Sequence, residues 1–169
     1  MKTATRALLM AVACVALAAC QKKVVETPPE PTPPPRPAPA PVADEGRYTP
    51  DDLDTDSCLR QRQVYFDFDR DNLKPEFQAI INCHAKYLRD RPSSRVTLEG
   101  HADERGTREY NLGLGERRGN TVNGALAAAA GSSSQLTVVS YGEERPTCNE
   151  SNEGCWSKNR RVEIIYTAR

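Results

Sequence analysis

The sequence lacks the features on which several functional classes depend. Its formal net charge at pH 7 is +0, so no overall field favours nucleic acid or acidic lipid. It has no Gly-rich phosphate loop and no basic block with interleaved aromatic residues, which argues against nucleotide and nucleic-acid binding. It has no nucleophile motif such as G-x-S-x-G, and histidine occurs only at His84 and His101. These absences argue against most enzymes.

The apolar run at the start of the chain is too short to span a bilayer. It extends from Ala7 to Leu17 behind two basic residues, whereas a spanning helix needs ~18 apolar residues or more. This pattern predicts a signal peptide over residues 1–19. The closing letters LAAC resemble a bacterial lipobox, in which the cysteine, here Cys20, is lipidated and becomes the new N-terminus. The alternative is an ordinary signal peptide that leaves Cys20 an unmodified thiol.

Residues 20–57 have the composition of a linker behind a lipidated N-terminus. Prolines recur from Pro28 to Pro41 with almost no large apolar residue, so this stretch cannot form a core and favours extended polyproline conformation. At roughly 3.1 Å per residue, Val24–Gly46 reaches on the order of 70 Å. Tyr48–Ser57 is acidic and is expected to be a solvent-exposed segment that leads into the folded domain. A tether that holds a folded head away from a membrane fits this composition better than a ligand for an aromatic groove.

Residues 58–169 contain the hydrophobic patterns of one folded domain. Helix crossovers between strands imply parallel neighbours, and the short final connection allows an antiparallel pair. The order β-α-β-α-β-β predicts an α/β fold of the α+β sandwich type, with both helices on one face of a mixed sheet. The predicted elements are a strand at Gln63–Asp69, a helix from Pro75 that ends before Pro92, a strand at Arg95–Glu99, a helix at about Arg108–Ala130, and strands at Gln135–Ser140 and Arg160–Thr167.

Four of the six cysteines lie in this domain. An even number behind an export signal predicts disulfides. Cys148 and Cys155 bracket the loop TCNESNEGC, whose turn-forming residues favour their pairing, and Cys58 with Cys83 follows by elimination. The alternative is a four-thiolate zinc site, although the C-x6-C spacing is wider than the C-x2–4-C pairs of zinc modules.

One charge pair stands out between Gly100 and Gly119. Arg118 lies on an otherwise apolar helical row with Leu114, and a buried arginine is costly unless an anion meets it. Asp103 lies on the loop that leads into this helix. The two side chains predict a zwitterion site in which Asp103 holds an ammonium and Arg118 holds a carboxylate through two parallel hydrogen bonds. On this reading, replacement of either residue abolishes binding while the fold survives. The alternative is a mutual salt bridge that only fixes the loop.

The same loop offers a weaker enzyme hypothesis. His101, Asp103 and Glu104 have an i, i+2, i+3 spacing that is a poor signal for metal ligation, and His84 lies in the first predicted helix. We expect His101 to pack beneath the loop and Glu104 with Arg105 to be solvated. The sequence therefore predicts no enzyme, no metal and no cofactor, and a periplasmic metal-dependent enzyme using His101 and Asp103 is the alternative from a different class.

The stretch GHADERGTREYNLGLGERR, with VYFDFD before it and SYGEERP and SKNRRVE after it, resembles the OmpA-like domain family and, within it, the peptidoglycan-associated lipoproteins of Gram-negative bacteria. The resemblance runs from about Gln63 to Tyr166. It implies noncovalent binding of peptidoglycan through the diaminopimelate of its stem peptide. Gly119 departs from the alanine common in the family, which should loosen the helix by up to ~1 kcal/mol. The family's peptidoglycan-binding positions fall on Asp103, Arg118, Asn111, Leu114, Phe68 and Asp69.

The resemblance also implies partners and a location. Such domains dock TolB, the propeller protein of the Tol system, and we expect that contact at Glu104, Arg105 and Thr107. The implied location is the periplasmic face of the outer membrane, through the lipid anchor, and Gln21 matches the sorting pattern for that membrane. The implied role within the Tol–Pal assembly is envelope integrity and outer-membrane constriction at cell division. The alternative is a wall anchor of the same fold that is independent of the Tol proteins.

Overall fold

The computed structural model describes residues 46–130 and 132–169. The predicted signal peptide, the lipidation site Cys20 and the proline-rich segment lie outside these residues. No helix in the described part is both long and apolar enough to cross a membrane. The helices are α1 (Asp52–Thr55), α2 (Gln78–Asp90), α3 (Arg108–Ala130) and α4 (Glu153–Asn159), and the strands are β1 (Gln63–Tyr65), β2 (Arg95–His101), β3 (Leu136–Gly142) and β4 (Arg161–Ala168).

The four strands form one mixed sheet in the order β1-β4-β2-β3. Strand β4 is antiparallel to both β1 and β2, whereas β2 and β3 are parallel neighbours joined through α3. The α+β fold class predicted from the sequence is confirmed. The predicted pairing of the last two strands is wrong, because β4 inserts between β1 and β2. The final connection contains α4 and is long enough to carry the chain across the sheet.

The core lies between the sheet and the two long helices. Alternation places Val96 and Leu98 of β2 on the same face as Val162 and Ile164 of β4, and all four are at most 1% exposed. Helix α2 and helix α3 cover this face with residues at helical spacing. Both helices therefore pack on one side of the sheet. The buried helix residues are Ile80, Ile81, Ala85 and Leu88 of α2 and Val122 and Leu126 of α3.

The segment before Cys58 packs onto the domain, which differs from the predicted solvent-exposed segment. Leu53 of α1 is fully buried in a small cluster with Leu59 and Tyr87. The backbone N–H of Tyr48 donates to the carboxylate of Asp90 at 3.0 Å. One leucine among acidic residues gives no periodic signal, so the sequence pattern did not predict this cluster. The ordered packing begins before the predicted boundary at residue 58.

Both predicted disulfides are present. Cys58 is bonded to Cys83 of α2, with 6.3 Å between the Cα atoms, and Cys148 is bonded to Cys155 of α4, with 5.0 Å between them. The four sulfurs thus belong to two disulfides. Helix α4 lies in a segment that the sequence predicts to be a loop, because its residues are rich in turn formers. The Asn152 side chain caps it by accepting from the N–H of Cys155 at 3.0 Å.

Helix α3 lies directly against β2 through two glycines. A Cβ on Gly100 would overlap the carbonyl oxygen of Gly115, and a Cβ on Gly115 would lie 2.8 Å from the carbonyl oxygen of Gly100. Further along the helix, a Cβ on Gly119 would lie 2.6 Å from Cγ1 of Val138. The glycine at position 119 therefore permits close packing on β3. These contacts fix the position of α3 and of the loop that precedes it.

This packing gives a stability prediction. Gly115→Ala should lower the free energy of unfolding by about 2 kcal/mol or more, because the new methyl group forces the helix from the strand. Gly124→Ala is the matched control in the same helix, since a Cβ there meets nothing within 4 Å. It should raise stability by up to ~1 kcal/mol through helix propensity. Urea denaturation of both variants measures the difference, and equal midpoints would contradict the close-packing argument.

Candidate functional site

A solvent-open cavity of about 220 Å³ lies where β2 ends and α3 begins. We call it the Asp103 cavity. It brings together five of the six residues predicted to bind peptidoglycan, which come from the loop after β1, the loop after β2 and the first turns of α3. Its lining residues are Phe68, Asp69, Asp103, Arg105, Gly106, Tyr110, Asn111 and Leu114.

The carboxylate of Asp103 is only 4% exposed and is held by two arginines. Its Oδ1 atom accepts from the backbone N–H and from Nε of Arg105, both at 3.1 Å. Its Oδ2 atom accepts from Nη2 of Arg105 at 2.7 Å and from Nη1 of Arg160 at 3.2 Å. Burial opposes ionisation, but the hydrogen bonds from Arg105 and Arg160 outweigh it and hold the pKa of Asp103 below its ordinary value. The side chain is therefore an anion at neutral pH.

Arg118, the sixth predicted residue, lies beneath the cavity and is not part of its lining. It is fully buried, and its guanidinium donates to the carbonyl oxygens of Arg70 and His101 at 2.8 Å and of Asp67 at 3.1 Å. Burial lowers the pKa of Arg118 to about 10, and the nearby carboxylate of Asp103 opposes that change. In the described part of the chain no salt bridge joins Arg118 to Asp103. Arg118 instead joins the loop after β1 to the end of β2.

Arg105 forms one wall of the cavity. Its guanidinium carbon lies 3.9 Å from the centre of the Phe68 ring and 4.1 Å from that of Trp156, so two aromatic rings contact the cation. Its Nη2 atom lies 3.6 Å from the carboxylate of Glu153. The sequence predicted Arg105 to be solvated or to bind a partner, but the structure places it on Asp103. Trp156 gave no sequence signal, because α4 brings it to the cavity from far along the chain.

Hydrogen bonds fix the floor and the rim of the cavity. Nδ2 of Asn111 donates to the carbonyl oxygen of Asp103 at 3.1 Å and also to the carboxylate of Glu143. The hydroxyl of Tyr110 donates to the carboxylate of Asp69. Asp69 has φ +55°, a left-handed conformation that aspartate tolerates better than most residues. The loop after β1 is thereby turned towards α3.

The other residues predicted to bind a partner lie beside this rim. Glu104 accepts from Nε1 of Trp156 at 3.0 Å, and hydrogen bonds from Ser151 and Trp156 lower the pKa of its carboxyl. Oγ1 of Thr107 accepts from the N–H of Tyr110 at 3.2 Å, as a cap at the start of α3. Glu104 is thus held by α4 and Thr107 by α3. Both side chains are near the Asp103 cavity but outside its lining.

The side chains proposed for a metal-dependent enzyme do not converge. His101 is 1% exposed, its ring stacks on that of Tyr141 with 5.6 Å between centres, and neither ring nitrogen has a hydrogen-bond partner among the residues that the structure describes. Burial lowers the pKa of His101 to about 4, so the ring is neutral at pH 7. Within residues 46–130 and 132–169, no three His, Cys, Asp or Glu side chains are grouped as metal ligands. His101 packs beneath the loop, as the sequence predicts.

Known proteins share this fold and much of this sequence. The OmpA family matches residues 65–160. The chain is 47% identical over 113 residues to the peptidoglycan-associated lipoprotein of Pseudomonas aeruginosa, covering 66% of this chain and 67% of that protein. It is 41% identical over 121 residues to the protein of that name from Pasteurella multocida, covering 72% and 78%. The crystal structure of the peptidoglycan-associated lipoprotein from Burkholderia pseudomallei superposes with a TM-score of 0.66 at 39% identity, covering 68% of this chain and 98% of that one.

Proposed function

This chain belongs to the OmpA family, in the group of peptidoglycan-associated lipoproteins, and from that membership we propose that it anchors the outer membrane to the cell wall. It does so by binding peptidoglycan noncovalently through the folded domain, which includes the packed segment before Cys58. The observation that carries the proposal is the convergence of five predicted ligand residues on one open cavity. The role is binding rather than catalysis, and no cofactor is required.

The chemistry of the Asp103 cavity suits the end of a diaminopimelate side chain. That group carries an ammonium and a carboxylate on one carbon. The buried carboxylate of Asp103 is the acceptor for the ammonium, and a charged pair shielded from water is stronger than an exposed one. The apolar surfaces of Phe68 and Leu114 line the cavity beside it and can receive the methylene chain of the ligand.

Arg118 contributes to binding from beneath the cavity. It holds the carbonyl groups of Asp67 and Arg70, on the loop that carries Phe68 and Asp69, and that of His101 at the end of β2, two residues before Asp103. Its positive charge also favours the ionised form of the nearby Asp103 carboxyl. We therefore expect loss of Arg118 to weaken wall binding through the geometry and electrostatics of the cavity.

Retention on purified sacculi tests the proposed function. The chain should sediment with sacculi that contain diaminopimelate, and free meso-diaminopimelate should release it. Nα-acetyl-lysine at the same concentration is the control, because its only ammonium ends the methylene chain on a carbon that carries no carboxylate. A chain that stays in the supernatant with intact sacculi would contradict the proposal.

The lipid anchor gives a separate prediction about residues outside the described part of the chain. Cys20→Ala should produce a protein that is soluble or retained at the inner membrane, because the acyl chains that hold it to the outer membrane are absent. Each buried methylene of an acyl chain contributes on the order of 0.8 kcal/mol to membrane binding. Cys14→Ala, within the apolar leader, is the control that keeps the lipobox cysteine. Normal outer-membrane fractionation of Cys20→Ala would defeat the lipobox assignment.

A second binding activity is directed at TolB and the other Tol proteins. Glu104 and Thr107 lie beside the Asp103 cavity, and Tyr110 and Leu112 of the same region are 45% and 48% exposed. A protein docked there would compete with the wall peptide for access to the cavity. Co-purification with TolB, repeated with excess diaminopimelate-containing muropeptide, tests this role. No TolB in the eluate would favour a wall anchor that is independent of the Tol system and of its part in cell division.

A further inference from the structure

The carboxylate of Asp103 has no acceptor position left for a ligand. An ionised carboxylate has about four lone-pair positions. Arg105 occupies two positions on Oδ1 and one on Oδ2, and Arg160 occupies the remaining one on Oδ2. A ligand ammonium can therefore bind Asp103 only if one of these donors leaves.

Arg105 is the donor that can leave. The Arg160 side chain is 6% exposed and is fixed by the carbonyl oxygen of Phe66 at 3.0 Å and the carboxylate of Glu153 at 2.5 Å. The Arg105 side chain is 29% exposed and lines the open cavity. It is followed by Gly106, whose φ of +117° only glycine adopts without strain. Displacement of Arg160 would break its buried hydrogen bond to the carbonyl oxygen of Phe66, whereas Arg105 can turn towards solvent.

The surroundings of Arg105 also determine where its guanidinium can go. The rings of Phe68 and Trp156 lie against it at 3.9 Å and 4.1 Å, and stacking contacts of this kind allow movement in the ring plane. Of the side-chain nitrogens of Arg105, only Nε and Nη2 donate to Asp103. The guanidinium can therefore move off Asp103 while it keeps contact with an aromatic ring, and it then presents a planar pair of donors suited to a carboxylate.

We propose that Arg105 determines which wall peptides the cavity accepts, through an exchange of ion pairs. The ligand ammonium replaces the Arg105 guanidinium on Asp103, and the released guanidinium binds the carboxylate on the same carbon of the ligand. One internal ion pair is thus exchanged for two pairs with the ligand. This inference rests on the proposed binding of diaminopimelate, and it assigns the carboxylate-binding role to Arg105.

The exchange predicts discrimination between two kinds of stem peptide. A diaminopimelate end supplies both charges, so Arg105 gains a new partner when it leaves Asp103. A lysine end supplies the ammonium alone and leaves the released arginine without a carboxylate. A hydrogen bond to a charged group contributes about 1.5–3 kcal/mol, which corresponds to a preference of roughly tenfold to a hundredfold for diaminopimelate.

Calorimetric titration of the folded protein tests this preference. The probes are a muropeptide that ends in diaminopimelate, its lysine counterpart, and one whose diaminopimelate carboxylate is amidated. The natural chain should prefer the first by about tenfold or more, and Arg105→Ala should bind all three within roughly threefold of one another. Arg108→Ala is the control, because that arginine is exposed, pairs with Glu144 and lies outside the Asp103 cavity. It should keep the natural preference.

The fluorescence of Trp156 provides an independent readout, because the chain contains one tryptophan. Since the guanidinium of Arg105 contacts that ring, diaminopimelate peptide should change the emission of the natural chain, and Arg105→Ala should remove the change. An unchanged preference in Arg105→Ala would overturn the exchange while leaving wall binding intact, and so would tight binding of diaminopimelate peptide by the natural chain with no change in Trp156 emission. Failure of the natural chain to bind any of the three probes would overturn the proposed function as well.

Discussion

Replacing Asp103 by asparagine is expected to abolish retention on sacculi and to weaken binding of a diaminopimelate peptide by about a hundredfold or more. The substitution keeps the size of the side chain but removes its charge and turns one acceptor into a donor. That donor would face Arg105 and Arg160, whose N–H groups now point at the carboxylate. The new amide N–H group would also face the ammonium of the ligand, which is a donor as well. A loss of about 3 kcal/mol for a charged hydrogen bond corresponds to this factor.

Two measurements make the Asp103 prediction specific. Asp71→Asn is the matched control, because Asp71 is 44% exposed, pairs with Arg117 and lies outside the cavity lining. It should bind like the natural chain. Mild acidification should also leave binding unchanged, because the pKa of Asp103 is held below its ordinary value of 3.8 by its arginine partners. Equal retention of Asp103→Asn and Asp71→Asn on sacculi would remove Asp103 from the binding site.

Replacing Arg118 by methionine is expected to have the largest effect on stability. Three carbonyl oxygens lose their donor at once, the buried one of His101 and the partly buried ones of Asp67 and Arg70. An unsatisfied buried acceptor costs about 1–3 kcal/mol and a partly buried one less, so the free energy of unfolding should fall by about 2–4 kcal/mol. Methionine keeps much of the side-chain volume, which limits the contribution from an empty cavity. Urea denaturation monitored by circular dichroism measures the loss.

The neighbouring residue provides the control for Arg118. Arg117 has the same side chain at the preceding position of α3, but it is 49% exposed and pairs with Asp71 at 3.1 Å. Arg117→Met should change stability by less than ~1 kcal/mol, as expected for a surface ion pair. If Arg118→Met folds as stably as the natural chain but no longer binds the wall, the direct carboxylate role predicted from the sequence would be preferred over the supporting role described above.

The two long helices and most strands were predictable because their patterns are long and local. Helix α3 has the predicted bounds of Arg108–Ala130, since an apolar row with i+4 spacing runs through it and a glycine follows its last residue. The position of β4 between β1 and β2 was not predictable in the same way, because sheet order depends on how a connecting segment crosses the fold. Helix α1 was missed for a related reason. Its single buried residue, Leu53, is buried through packing against Tyr87, which is distant in the sequence, so no local pattern indicates the helix.

The part of the site that lies on the β2–loop–α3 unit was predictable, because its residues are close in sequence. Asp103 and Asn111 belong to the same strand–loop–helix unit, so their approach follows from local geometry. The aromatic partner of Arg105 was not predictable, because Trp156 reaches Arg105 only when α4 forms, and that helix begins inside the segment closed by the Cys148–Cys155 disulfide. A lone aromatic residue in a turn-rich sequence carries no local signal for that contact. Arg118 was correctly predicted to be buried, but its acceptors are backbone carbonyls, which no side-chain pattern reveals.

The Cys58–Cys83 bond determines how the domain would bear a mechanical load. A pull applied through the residues before Tyr48 reaches the contacts of Leu53 and then the sulfur of Cys58, before it reaches β1. The covalent bond passes the tension to α2, whose buried side chains are spread across the core. Strand β1 lies at the edge of the sheet and pairs with β4 over three residues, flanked by two further backbone hydrogen bonds. The disulfide thus gives the tension a path into the middle of the fold that does not run through this short edge pairing.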